Sequence, residues 1–221
     1  SLRLSRRLRS GQRAFQMATQ LAFLEQGGLI DALAARGAFS NDEARSLARI
    51  GLANYFAGAL VLPYTPFLDL AERLRYDIDL LGREFGMGFE TVCHRLSTLQ
   101  RPEARGVPFF FVRVDRAGNI SKRQSATDFH FSRVGGTCPL WNVYDAFSNP
   151  GQTLTQVAEM PDGRAYLWIA RMVESSRGGF GAPTKRFAIG LGCDLLHADR
   201  LVYAQGVALD DPAKRTLIGA G

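Results

Sequence analysis

Arg101-Pro-Glu-Ala-Arg-Gly-Val-Pro108 divides the chain into two kinds of sequence. Its two prolines, its glycine and its charges read as an interdomain linker over 102–108. Upstream, apolar residues recur every three to four positions, the period of a helix; downstream they come in short runs between turn residues, the pattern of strands. The expected fold is therefore α+β, with a helical domain over 1–101 and a small α/β sheet domain over 109–221.

Working upstream, Phe89, Val92, Cys93, Leu96 and Leu99 mark a helix behind the break Gly86-Met-Gly88. Before it, Thr65-Pro66 starts a helix that buries Phe67, Leu70, Leu74, Ile78 and Leu81. Ser40-Asn-Asp-Glu43 is a capping box opening a helix to about Leu62, ahead of Pro63. The earliest helix runs from Arg13 to Glu25 and is expected to stop at Gly27-Gly28, preceded by an alternating segment over Leu2 to Leu8. Downstream, strands are expected over Phe109 to Val114, from Asn119, over Leu154 to Glu159 and over Tyr166 to Val173. Shorter apolar runs lie at Phe187 to Gly192 and Leu201 to Ala204, with a helix over Pro139 to Phe147 and a connection at Gly178 to Gly181.

Five arginines, Arg3, Arg6, Arg7, Arg9 and Arg13, fall in the first thirteen residues with no acid among them. The remainder holds 22 basic against 21 acidic residues, so this segment carries nearly all of the net charge of +6. It suits an anionic ligand, a nucleic acid or membrane surface, or a solvated flank. No run approaches the ~20 apolar residues of a membrane helix, which gives a cytoplasmic expectation without membrane contact. Cys93, Cys138 and Cys193 are too scattered for a disulfide framework or a CxxC metal site. His94, His130 and His197 form no HxxxH or HxxE pair. Gly178-Gly-Phe-Gly181 lacks the GKS or GKT of a phosphate loop. Gly135-Gly-Thr-Cys138-Pro has the form of a reactive-cysteine turn but no evident histidine partner. Residues 78–99 can be read as a helix-turn-helix whose polar part is His94, Arg95, Ser97 and Thr98; a packed helical hairpin is the competing reading.

The stretch LANYFAGALVLPYTPFLDLAERLRYDIDLLGREFG from Leu52, followed by CHRLSTLQRP, resembles the core of an ImmA/IrrE-type metallopeptidase domain as it occurs inside a family of transcriptional regulators. GGTCPLWNVYDAF, QVAEMPDGRAYLWIAR and GLGCDLLHADRLVYAQG resemble the C-terminal domain of that family, the short-chain fatty acyl-CoA responsive regulators. The likeness implies a helical domain of degenerate metallopeptidase type followed by a GAF-like α/β sheet domain. Where the peptidases carry HExxH this chain reads Thr19-Gln-Leu-Ala-Phe23, and Leu52 precedes Ala53 in place of a carboxylate. Apolar side chains cannot hold zinc, so the resemblance implies a sensor and not an enzyme. The family's regulators also carry an N-terminal helix-turn-helix of the XRE type and a cysteine cluster beyond the position of Gly221. Neither lies within these 221 residues. The resemblance implies an iron–sulfur cluster in the full-length protein, with Cys193 as a candidate ligand and Cys138 as the second choice.

The function expected is effector sensing in a regulator of short-chain fatty acid metabolism of the methylcitrate or glyoxylate cycle. The effector would be coenzyme A or a short-chain acyl-CoA, and the further partners promoter DNA, through the missing domain, and a second copy of the chain. The phosphates of coenzyme A favour arginine forks. Arg13, at the start of the first helix, is the first candidate contact; Arg7 and Arg9, sharing one face of a strand, come next. Tyr64 in Leu-Pro-Tyr-Thr-Pro is positioned to present a ring or hydroxyl, or to anchor its loop. Tyr55 and Phe56 would line the entry of the acyl tail. The competing readings are a metal-dependent peptidase-type hydrolase and direct DNA binding through residues 78–99.

Overall fold

The computed structural model describes residues 3–6, 8–126, 138–176 and 180–219. Five helices come first: α1 (Ser10–Ala35), α2 (Asp42–Val61), α3 (Tyr64–Arg73), α4 (Ile78–Phe85) and α5 (Phe89–Leu96). A two-stranded hairpin, β1 (Gln100–Arg101) and β2 (Ala104–Arg105), leads into β3 (Phe110–Val114) and β4 (Ile120–Ser125). The short α6 (Asn142–Asp145) precedes β5 (Leu154–Glu159), β6 (Ala165–Ser176), β7 (Thr184–Asp194) and β8 (Thr216–Leu217). The large sheet has the order β4-β3-β7-β6-β5-β8, antiparallel throughout except for the β5–β8 pair. The α+β expectation holds, with helices first and strands after.

Several local expectations change. The helix α1 runs through Gly27-Gly28 to Ala35, bending at Gln26 (φ −123°, ψ 16°). Two glycines cost a helix about 2 kcal/mol, but Ala18, Ala22, Ile30 and Ala34 keep one face buried across the bend. Asn41, not Ser40, caps α2, its side chain accepting from the Ala44 N–H at 2.8 Å. The expected helix from Thr65 to Leu81 is two helices, separated by Arg75 (φ 51°) and Tyr76 (φ 61°) in the left-handed region. Of the expected alternating segment, the described residues 3–6 and Leu8 are not in a strand: Leu8 N–H donates to Ser5 O at 3.2 Å in a turn. Val202–Ala204 is a 3-10 turn instead of a strand.

The left-handed pair is held from outside. Arg75 donates to the carbonyls of Asp199 (2.8 Å) and Leu201 (3.2 Å), and its own carbonyl accepts from Val202 N–H at 2.8 Å. The Tyr76 hydroxyl donates to Glu72 at 2.5 Å and accepts from Val107 N–H at 2.9 Å, while Glu72 also pairs with Arg200. Backbone strain of this kind persists only where surrounding contacts fix it.

One face of the large sheet packs against α3, α4 and α5. Phe67, Tyr76, Leu81, Leu96 and Leu99 meet Phe109, Phe111, Leu167, Ile189 and Leu191 there in a single core. Residues 102–108, read as a linker, include half of the β1–β2 hairpin, and Val107 is buried in that core. The opposite face carries a second core of Phe110, Trp141, Val143, Tyr166 and Trp168 beneath α6. Gly192, opposite Phe110 in the β3–β7 ladder, leaves room for that ring, because a Cβ there would overlap it. A third, small cluster of Ala22, Ile30 and Ala53 joins α1 to α2.

Candidate functional site

A small cleft, partly open to solvent, lies where α1, α2 and α5 converge. Phe15 reaches it from α1, Asn54, Tyr55 and Gly58 from α2, and Thr91, His94 and Arg95 from α5, with Leu62 and Thr98 completing the wall. The spacing of these residues follows from the helices: Thr91 and Arg95 are one turn apart on α5, and Asn54 and Tyr55 are each about one turn from Gly58 on α2.

Arg95 is buried, with 4% of its surface exposed. Its Nε donates to Leu62 O, the carbonyl ending α2, at 2.9 Å, and its Nη1 to Thr98 Oγ1 at 3.2 Å. Burial pulls its guanidinium below the ordinary value, opposed by the phenols of Tyr55 and Tyr64. His94 packs edge-on to Phe111 with ring centres 5.4 Å apart. Burial, and then the Lys122 ammonium, lower its imidazole to about 4, so it is neutral at pH 7.

The residues singled out in the sequence are only partly brought together. Tyr55 lines the cleft. Phe56, on the next face of α2, packs instead against the Ala22, Ile30 and Ala53 cluster. Arg13 is exposed inside the first turn of α1, its N–H already bonded to Arg9 O at 3.0 Å, and it is not among the cleft residues. Arg9 is the exposed N-cap of α1 and not a strand residue; its N–H donates to Gln12 Oε1 at 3.1 Å. Arg7 lies outside the described residues. Tyr64 opens α3 instead of standing on a loop, and it is buried. Its hydroxyl donates to Ala104 O at 2.7 Å and accepts from Arg101 N–H at 2.9 Å, which ties the β1–β2 hairpin to the helices.

Cys193 sits in β7 with its side chain in the main core, and burial pushes its thiol far above the ordinary range. A ligand to iron must be a thiolate. Among the described residues no three His, Cys, Asp or Glu side chains gather into a metal-binding group. Cys193 therefore stands among apolar side chains of the core, apart from any such group. His130 and the Gly135–Thr137 part of the reactive-cysteine turn lie outside the described residues. No residue of α5 is exposed, so the helix offers no face to the edges of base pairs and the reading of 78–99 as a DNA-recognition unit fails on burial. No helix among the described residues is long and apolar enough to cross a membrane.

Arg95 and His94 stood in the sequence as polar residues of a candidate recognition helix. The signal for the opposite orientation was there: Arg95 follows Val92 by three residues and precedes Leu99 by four, which puts it on the apolar side of the helix.

Comparison with known proteins places these observations. Residues 98–221 match the family model described as short-chain fatty acyl coenzyme A regulator, C-terminal, and residues 1–97 match that of an IrrE N-terminal-like domain. The HTH-type transcriptional regulator PrpR of Mycobacterium tuberculosis is 63% identical over 220 residues, covering 100% of this chain and 45% of that protein. The HTH-type transcriptional regulator RamB of the same species is 60% identical over 223 residues, with 100% and 47% covered. A propionyl-CoA carboxylase regulator of Cereibacter sphaeroides is 56% identical over 95% of this chain and 45% of its own length. The chain thus spans slightly less than half the length of these relatives. A solved Mycobacterium tuberculosis transcriptional regulator superposes with a TM-score of 0.96 at 63% identity, over 99% of this chain and 67% of that one.

Proposed function

Because the chain belongs to the short-chain fatty acyl coenzyme A regulator family, we propose that it is the effector-binding region of a transcriptional regulator and takes coenzyme A or a short-chain acyl-CoA. The observation that carries this reading is the match over residues 98–221 to a family named for that effector, and the name of the Cereibacter sphaeroides relative supports it. The chain is a regulatory and not a catalytic unit, acting in propionate or related short-chain acyl metabolism of the methylcitrate or glyoxylate type. Promoter DNA is the partner of the whole regulator, reached through a part other than α4 and α5.

The exposed arginines at the start of α1, Arg9 and Arg13, are the outer contacts for the ligand's phosphates, and Tyr55 stands beside the ligand at the cleft. Binding shifts the regulator between states only to the extent that the ligand prefers one of them. Calorimetric titration with CoA, acetyl-CoA and propionyl-CoA tests the reading. Saturable heat from at least one of them, weakened in Arg13→Ala, is expected. Absence of heat from all three with folded protein overturns it.

A further inference from the structure

The corner between α3 and α4 is not what its own sequence specifies. Phe67, Leu70, Leu74, Ile78 and Leu81 keep one helical spacing straight through it, and neither glycine nor proline interrupts them. The corner nevertheless closes as a helix-ending turn: Tyr76 N–H donates to Ala71 O at 2.7 Å and Arg75 N–H to Glu72 O at 3.1 Å, just past the end of α3. The left-handed residue of such a turn is usually glycine. Here it is Arg75, and Tyr76 follows it into the same region. One distant segment offsets the strain: residues 195–204, two 3-10 turns that leave β7 and cross the corner. The Asp199 and Leu201 carbonyls accept from the Arg75 side chain, and Val202 N–H donates to Arg75 O. The Tyr203 hydroxyl accepts from Ile78 N–H, at the start of α4, at 3.0 Å, and Arg200 pairs with Glu72. Ala198 and Leu201 anchor the segment in the main core, whereas the Arg200 and Glu72 side chains are 37% and 41% exposed.

We propose that residues 195–204 are a latch on this corner and that the corner has two states. Seated, the latch holds Arg75 and Tyr76 left-handed, and the Tyr76 hydroxyl then accepts from Val107 N–H at 2.9 Å behind the β1–β2 hairpin. Unseated, it lets both residues move toward the right-handed region that the sequence spacing favours, and Tyr76 withdraws from Val107. The latch is joined to the corner by hydrogen bonds and one surface ion pair, each of small net value. The left-handed pair works against them. That opposition is what makes the corner a two-state element. The corner lies within residues 1–97 and both the latch and Val107 within 98–221, so the device couples the two parts of the chain that match separate family models. Any ligand or neighbour that prefers one seating shifts the population. The latch goes beyond the effector reading and stands whichever ligand the regulator takes.

The test is amide hydrogen exchange by NMR in the full 221-residue chain, read at Val107 N–H, with Ile169 and Leu191 in the sheet as reporters of global folding. Val202→Pro removes the N–H given to Arg75 O. Proline suits the first position of a 3-10 turn, and Leu201 before it is already extended (φ −96°, ψ 141°). Exchange at Val107 is expected to quicken by about tenfold or more, with Ile169 and Leu191 unchanged. Adding Arg75→Gly to Val202→Pro separates a latch from a simple loss of contacts. It removes two further bonds, yet glycine holds the left-handed shape unaided, so Val107 exchange is expected to return to within about threefold of the wild-type rate. Unchanged Val107 exchange in folded Val202→Pro overturns the latch, and so does quickened exchange that Arg75→Gly fails to restore. Should Val202→Pro not fold, Tyr203→Phe, which gives up only the bond from Ile78 N–H, is judged by the same two criteria.

Discussion

Tyr64 and Arg101 are joined twice. The Arg101 backbone N–H donates to the Tyr64 hydroxyl at 2.9 Å, and the Arg101 guanidinium carbon lies 4.1 Å from the centre of the same ring. Because that hydroxyl also donates to Ala104 O, one side chain from the start of α3 fixes both strands of the β1–β2 hairpin. Tyr64→Phe keeps the ring and leaves two backbone groups without their partner. A loss of about 1–2 kcal/mol in urea-induced unfolding is expected. An unchanged midpoint would show that water replaces the hydroxyl at no cost.

The left-handed Arg75 gives a comparison that isolates backbone strain. Arg75→Ala and Arg75→Gly lose the same bonds to Asp199 and Leu201, but only glycine adopts φ 51° freely. Relief of about 1–2 kcal/mol of left-handed strain exceeds the extra unfolded-state entropy of glycine. Arg75→Gly should therefore be more stable than Arg75→Ala by about 0.5–1 kcal/mol, measured by denaturant unfolding of both. The opposite order would mean that the turn relaxes when the side chain is removed.

His94 makes stability depend on pH in one window. Its imidazole titrates at about 4 in the folded chain, lowered by burial and Lys122, with Arg95 acting in the same direction and Glu90 against it. In the unfolded chain it titrates near its ordinary 6.5. Between those values the unfolded state binds the proton and the folded state does not, so stability rises with pH from about 4 to about 6.5 and is level above. The span corresponds to roughly 3 kcal/mol. His94→Gln should flatten this part of the profile in unfolding curves taken across the window; a slope that survives the substitution would assign the effect to other groups.

Gly192 and Phe110 should behave as a coupled pair. Gly192→Ala forces a methyl group into the Phe110 ring and is expected to cost about 1–3 kcal/mol. Phe110→Leu in the same chain should recover part of that loss, giving a coupling of about 1 kcal/mol or more in a double-mutant cycle. Strict additivity of the two substitutions would place the strain elsewhere in the ladder.

The change from helices to strands at residues 101–108 was legible because periodicity reports which faces are buried, and burial is what the sheet and α3, α4 and α5 exchange with each other. The Arg75-Tyr76 break was not legible. It contains neither glycine nor proline, and its left-handed backbone is imposed by Asp199, Leu201 and Val202, more than 120 positions away in the chain. The end of α1 at Gly27-Gly28 was misread for the converse reason: local propensity favoured a stop, and packing on α2 carried the helix past it. At the candidate site, Tyr55 was found through its place in a motif. Arg95 was named only among the polar residues of 78–99, for which a packed helical hairpin stood beside a recognition helix, and neither reading singled it out as buried. Arg13 and Arg9 drew attention as part of the charge cluster, whereas the cleft is built from Phe15, one helical turn beyond Gly11 on the same helix.

Gly11 has one more consequence. Its missing side chain lets the start of α1 rest on the Gly86 carbonyl, and beyond that point α1 packs mainly on α2. Between that contact and the bend at Gln26, α1 is a straight rod of about 22 Å, and Phe15 lies about 6 Å along it from the glycine. A rotation of this segment about the glycine would carry the bend nearly four times as far as Phe15, which makes the closeness of the α1 start to the Gly86 carbonyl the point that fixes where the rest of the helical hairpin stands.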